Sequence, residues 1–490
     1  MSKSPPSPAL LQPDLTAVTR RNRKVIRLLL AATFVVILNE TIMSVALSEL
    51  MTDLDITARA AQWLSTAFML TMAVVIPVTG FLLQRFNTRP VYTAAMTLFS
   101  AGTLIAALAP GFEVLLLGRI VQACGTAIMM PLLMTTLMTL VPPAERGKTM
   151  GNVSIVISVA PAIGPTISGI ILNALSWRWM FLLVLPIAVA MLLIGARRVE
   201  NVTEPRPVPL DVPSVLLSAA GFGGLIYGLS TVGAGDGGDG GPVVPLWASI
   251  GGGAVALAVF ILRQLRLQKR DRALLDLRTF RAPIFSLAVG MMTVSMAALF
   301  GTIILLPIYL QQVLGLEPVQ IGLMLLPGGL LMGLLAPAVG RLYDRSGPRV
   351  LLVPGTAIVS AVLWFLSTLH ADTPPMLVLA AHLVLSLGLA LLFTPLFTAG
   401  LGAVRPELYS HGSAIVGTVQ QVAGAAGTAL FVTVLSVQSA ALSAAGQTQT
   451  VAVAGGVQAA FLTGAVISLA AIVGAFFIRK PAEIPAESLH

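Results

Sequence analysis

The sequence predicts an all-α membrane protein, two six-helix bundles with two additional transmembrane helices between them, fourteen spans in all. Three observations predict it. Over half of the residues are hydrophobic and a tenth are charged, too few to cover a soluble domain of 490 residues. Apolar runs of about twenty residues recur from Leu28 almost to the end, each long enough to cross a hydrocarbon core about 30 Å thick. Lys and Arg, which resist translocation, alternate with those runs.

In chain order the spans are 28–50, 61–83, 91–109, 114–140, 149–173, 178–196, 212–233, 244–264, 284–312, 319–339, 350–369, 376–400, 412–437 and 451–478. The pair 212–233 and 244–264, joined by the Gly-rich stretch 233–241, is also readable as one re-entrant hairpin, which would leave twelve full spans. The chain then divides into a cytoplasmic tail (1–27), a first bundle (28–196), a linker carrying the two extra spans (197–283), a second bundle (284–478) and a cytoplasmic tail (479–490).

With both termini inside, 26 of the 29 Lys and Arg residues fall in the cytoplasm. Only Arg59 and Arg178 lie outside, and Arg119 lies within a span. A wrong span count early in the chain would scramble this alternation. The net charge of +9 thus faces the anionic inner leaflet, and no nucleic-acid partner is needed to explain it. The single cysteine, Cys124, excludes a disulfide framework or a cysteine-based zinc site, and no metal or other cofactor is expected. Gly147-Lys148-Thr149 looks like the end of a nucleotide-binding loop. The glycine that motif needs five positions earlier is Pro142, so no ATP site follows.

An internal repeat links the halves. The run from Pro77 through Gly80, Leu82 and Arg85 returns as Pro337, Gly340, Leu342 and Arg345 at a constant offset of 260, and Arg89 returns as Arg349. Both copies close the second span of a six-span half. Paired halves around a central cavity are how many secondary transporters alternate access.

Glu40 is the sharpest chemical signal. It sits about 18 Å from the cytoplasmic end of the first span, where an ionised carboxyl is costly and functional by default. Such a group can carry a proton, contact a cationic substrate, or serve as a structural hydrogen-bonding group. Arg119, the only basic residue inside a span away from its ends, falls at a similar depth, about 8 Å from the outer face. An approach to Glu40 in one conformation alone would favour the carboxylate and release a proton, whereas a static pair would pin spans 1 and 4. Pro161, Gly164, Pro165 and Gly169 predict a kinked fifth span at a close helix interface. Gly80, Arg85, Arg89, Gly340, Asp344, Arg345 and Arg349 read either as charge contacts that latch the cytoplasmic side or as charged helix ends. Gln84 stands where the second copy has Asp344, so any latch is asymmetric. Met130, Met134 and Met138, with Met291, Met292 and Met296, suit a pliable greasy cavity or, for most of them, helix packing. Trp63 reads as an interfacial anchor and His382 as an inter-helix hydrogen bond.

At these residues the chain resembles the major facilitator superfamily, and more narrowly the fourteen-span drug:proton antiporters of the QacA/EmrB type, with lincomycin-resistance-like exporters nearest. The resemblance covers nearly the whole chain. Gly340 through Arg349 is similar to the family's cytoplasmic loop motif, Arg119-Ile120-Val121-Gln122 to its span-4 motif, and Pro161 through Gly169 to its span-5 antiporter motif. Asn39-Glu40-Thr41-Ile42, Tyr309-Leu310-Gln311-Gln312 and His411 through Gln420-Gln421 add further similarity. Asn39 stands where many relatives carry Asp, and Gln84, Asn87 and Ala123 also depart from the pattern.

The resemblance implies the major facilitator fold and proton-driven efflux of drugs or other lipophilic or cationic molecules from a bacterial plasma membrane by a monomer. Its partners would be the substrate, protons and the bilayer. Glu40 and Arg119 would couple the proton. Asn39, Glu40, Met43, Gln122, Met130, Met134, Tyr309, Gln312 and Gln420 would line the cavity. A dedicated metabolite or lipid exporter, and a non-transporting sensor or scaffold, are the alternative expectations.

Overall fold

The computed structural model describes residues 15–202, 205–231 and 245–479. The Gly-rich stretch 233–241, most of the N-terminal tail and the C-terminal tail from residue 480 fall outside or largely outside them. Fourteen long α-helices follow one another: α1 (Leu15–Asp53), α2 (Ala58–Arg85), α3 (Thr88–Ala107), α4 (Phe112–Leu140), α5 (Arg146–Ala174), α6 (Arg178–Arg198), α7 (Val212–Thr231), α8 (Leu246–Leu267), α9 (Pro283–Gln312), α10 (Pro318–Ser346), α11 (Arg349–Leu366), α12 (Pro375–Gly402), α13 (Tyr409–Ala444) and α14 (Gln449–Ala475). Each contains an apolar stretch long enough to cross a bilayer. α7 and α8, at 20 and 22 residues, are full-length helices and not a re-entrant hairpin.

Local signals set the helix ends. The Thr57 hydroxyl accepts from the Ala60 amide at the start of α2, and Glu317 with Gln320 forms a reciprocal cap on α10. Proline opens α9, α10 and α12, where the missing N–H costs nothing. Gly347, at φ +77°, ends α10 in a backbone region that disfavours other residues.

Helices α1–α6 pack on one another, as do α9–α14, and the two groups meet along two seams, α5 with α10 and α2 with α13. α7 packs against α2 and α13, and α8 packs on α7. Trp63 of α2, expected as an interfacial anchor, stacks on Tyr227 of α7 with ring centroids 5.9 Å apart. His382 bridges helices as expected, with Nε2 3.2 Å from the carbonyl of Leu325.

Charged loops gather at one end. The Arg206 amide donates to the Gln84 carbonyl (2.8 Å), the Arg89 amide to Asn201 (3.1 Å) and the Arg349 guanidinium to the Phe476 carbonyl. We call this the basic end. At the opposite end Asp53 accepts from the Trp177 indole (2.7 Å) and from Arg178 (3.1 Å), which hold its carboxyl below the usual range.

Candidate transport site

α1 carries Asn39 and Glu40 past its midpoint, and α4 brings Arg119, near its own start, beside Asn39. Arg119 is 1% exposed. Its guanidinium donates to Gln122 Oε1 (2.7 Å) and Asn39 Oδ1 (3.4 Å) and lies 4.1 Å from the centre of the Phe68 ring. Gln122 passes the chain of bonds to Thr103 of α3 (2.8 Å), which bonds the Phe99 carbonyl (2.7 Å). A buried guanidinium is therefore held by α1, α2, α3 and α4, with its Nε lacking a hydrogen-bond partner. Glu40 is half-buried and within electrostatic reach of Arg119, but no direct ion pair joins them among the described residues. The depth match read from sequence holds, and the direct contact on α1 is Asn39.

Beside Glu40, α5 packs tightly on α1. A Cβ on Gly164 would stand 2.2 Å from Thr41 Oγ1, so only glycine fits there. Pro161 and Pro165 flank that contact within α5. One turn further, Gly169 has no neighbour within 4 Å of where a Cβ would be. It lies outside the tight interface that the sequence assigned to all four residues.

Toward the basic end α5 runs against α10. A Cβ on Gly340 would stand 2.1 Å from the Gly147 carbonyl oxygen. Asp344 accepts from the amides of Gly147 (2.8 Å) and Lys148 (2.7 Å), at the positive end of α5. The sequence offered two readings for Asp344, Arg345 and Arg349, charge contacts or charged helix ends. The contact in the structure is carboxylate to helix end, while Arg345 is exposed and Arg349 binds a carbonyl of α14's end. The repeat is honoured in space. Gln84 and Glu407 lie 260 before Asp344 and 260 after Gly147, and the Gln84 amide donates to the Glu407 carbonyl (3.4 Å). Gly80 faces His411 across the same seam, and Arg85 bonds the Val208 carbonyl at 3.4 Å.

The expected cavity residues separate into groups. Gln420 and Met130 are half-buried, and Met43 and Met134 are buried. Gln122 belongs to the Arg119 network. Tyr309 is buried with its hydroxyl donating to the His370 carbonyl (2.7 Å), which ties α9 to the loop after α11. Gln312 is exposed at the last residue of α9. Among the described residues, Gln122 and Tyr309 are thus held by hydrogen bonds, and Gln312 stands at a helix end. Sequence reading missed Phe68 and Thr103, whose only signal is a register that matches Arg119 in depth.

The model of the Major Facilitator Superfamily matches residues 29–428. The chain belongs to this superfamily. It is a transporter and not an enzyme. Among its relatives, the MFS-type transporter YcnB of Bacillus subtilis is 42% identical over 95% of this chain and 97% of its own. Lincomycin resistance protein LmrB of Listeria monocytogenes is 40% identical over 92% and 95%. A multidrug resistance protein B homolog of Mycobacterium tuberculosis is 31% identical over 81% and 73%. The fold is also that of the human organic anion transporter MFSD10, with a TM-score of 0.65, 15% identity and coverage of 93% and 99%. The superfamily member is thus a multi-pass membrane transporter related to drug-resistance proteins of bacteria.

Proposed function

We propose that this chain exports drugs or other lipophilic or cationic small molecules across a bacterial plasma membrane in exchange for protons, as a monomer with its basic end in the cytoplasm. One observation carries the reading. A half-buried carboxyl, Glu40, sits mid-membrane between a buried guanidinium with a free Nε and the glycine contact through which α1 touches α5. Protonated, Glu40 is neutral, and only the Asn39 hydrogen bond ties its helix to Arg119. Ionised, it is drawn toward that guanidinium. Movement of α1 is passed to α5 at Gly164 and so to the α5–α10 seam. Nothing else in the described interior combines a carboxyl with such a lever. The names of the lincomycin- and multidrug-resistance relatives support starting the substrate panel with lincomycin, and the Glu40 carboxyl supports adding lipophilic cations.

The test is proton movement in liposomes under an imposed pH gradient, read with a pH-sensitive dye. Addition of a transported compound should release protons from the wild type and not from Glu40→Gln. Coupling retained in Glu40→Gln removes Glu40 from the role. Flux that ignores the pH gradient removes proton coupling itself, and response to a single endogenous compound favours a dedicated exporter.

A further inference from the structure

The loop between α8 and α9 takes no part in the steps above. Its residues Ala273, Leu274, Leu275 and Asp276 are nonetheless buried, although they lie in the charged linker at the basic end. Buried backbone needs partners, and the added hairpin supplies them. Gln264 of α8, fully buried, accepts from the amides of Leu274 (2.8 Å) and Leu275 (3.3 Å) and donates to the Ser214 hydroxyl of α7 (2.7 Å). Ser214 bonds Asp211, which grips Arg263 with two bonds of 2.7 Å. Arg278 closes the loop by binding Asp271 at one end and Asp276 at the other, and these carboxylates raise its affinity for its proton.

The other face of the loop meets the α2–α13 seam. A Cβ on Gly80 of α2 would stand 3.1 Å from Nδ1 of His411 on α13 and 3.4 Å from the Leu274 carbonyl oxygen. Asp276 and Arg278 also lie within electrostatic reach of His411. This is the seam that lacks an acidic latch. Its counterpart between α5 and α10 is closed by Asp344, whereas here Gln84 makes one bond of 3.4 Å.

We propose that the 271–278 loop is a plug that holds the α2–α13 seam shut at the basic end, with α7 and α8 as its anchor. The plug stands in for the missing carboxylate latch of the first repeat. The two additional helices then have a mechanical role, since they fix a wedge that must leave before the seam opens. Gln264 is the positioning residue.

A cysteine at Leu275, in a Cys124→Ala background and in purified protein, tests this by its rate of maleimide modification against a cysteine at exposed Arg272. The plug predicts at least about tenfold slower modification at Leu275, because reaction waits on local opening. Gln264→Ala should remove that protection. Spin labels on Arg85 and Glu407 should show the seam widening in Gln264→Ala and not in the otherwise wild-type chain. Equal rates at the two positions overturn the proposal, as does protection that survives Gln264→Ala or a seam that stays shut when protection is lost. A cysteine at Ala273 gives the same comparison should Leu275→Cys fail to fold. No transported compound is needed, so failure here is separate from failure of the efflux reading.

Discussion

Replacing Asp344 with Asn tests whether the start of α5 closes the basic end. Asp344 accepts from two amides, Gly147 at 2.8 Å and Lys148 at 2.7 Å. Both bonds are charge-assisted and lie at the positive end of the α5 dipole. Asn keeps one acceptor oxygen and loses the charge. A hydrogen bond to a charged group contributes about 1.5–3 kcal/mol, and exposure of Lys148 favours the lower part of that range, so the closed state loses about 2 kcal/mol. If neither bond survives in the open state, the whole loss appears in the equilibrium, a shift of about 30-fold. A closed-to-open ratio of about 100 would then fall to about 3. The assay is a distance distribution between spin labels on exposed Glu145 and Arg345, in a Cys124→Ala background. A longer-distance population should appear in Asp344→Asn, and high salt should enlarge it in the wild type. An unchanged distribution in folded Asp344→Asn would refute the latch. The geometry of Gly340 would then be the sole closing element, and Gly340→Ala should open the seam instead.

Three further outcomes follow from named contacts. Gly164→Ala should cut transport, since its Cβ would stand 2.2 Å from Thr41 Oγ1, while Gly169→Ala, with nothing within 4 Å, should leave transport rates in liposomes unchanged. Arg119→Lys keeps the charge but cannot hold Asn39 and Gln122 in one planar fork, so coupled transport should drop by about tenfold, equal to one charge-assisted bond of ~1.5 kcal/mol. Asp211 is held down to about 2 chiefly by its hydrogen bonds with Arg263, below the unfolded value of about 3.9. Its contribution to stability is thus complete above pH ~4 and lost as pH falls toward 2. The melting-temperature gap between wild type and Asp211→Asn should stay constant from pH 7 to about 5 and shrink below pH ~4.

Helix positions were legible in the sequence because the bilayer imposes a length and a composition on each span, and the loops must carry the charges. The predicted starts of α9, α10, α11 and α12 fall within a residue of those observed, since proline or arginine marks them. α1 begins well before its predicted 28–50, because the basic N-terminal turn is helical although it is not apolar. The depth of Glu40 and Arg119 was likewise readable, since depth along a helix is a count of residues. Which face each presents was not, and hence Asn39 rather than Glu40 is the direct partner of Arg119.

The burial of Leu274 and Leu275 shows where such reading stops. Composition assigns 263–281 to a cytoplasmic linker because seven of its residues are basic. The buried amides there meet one neutral side chain, Gln264, whose carbonyl oxygen accepts from two residues ten and eleven positions further on. No periodicity encodes that contact. The repeat does hint at the need for it, however. A chain that carries Asp344 in one copy of the loop and Gln84 in the other has given up half of a symmetric latch. If the halves rock as units, the seam without the carboxylate sets how easily the basic end opens. A plug anchored outside both bundles strengthens that seam without a carboxylate on α2 itself, and it makes the α7–α8 hairpin a determinant of the conformational equilibrium.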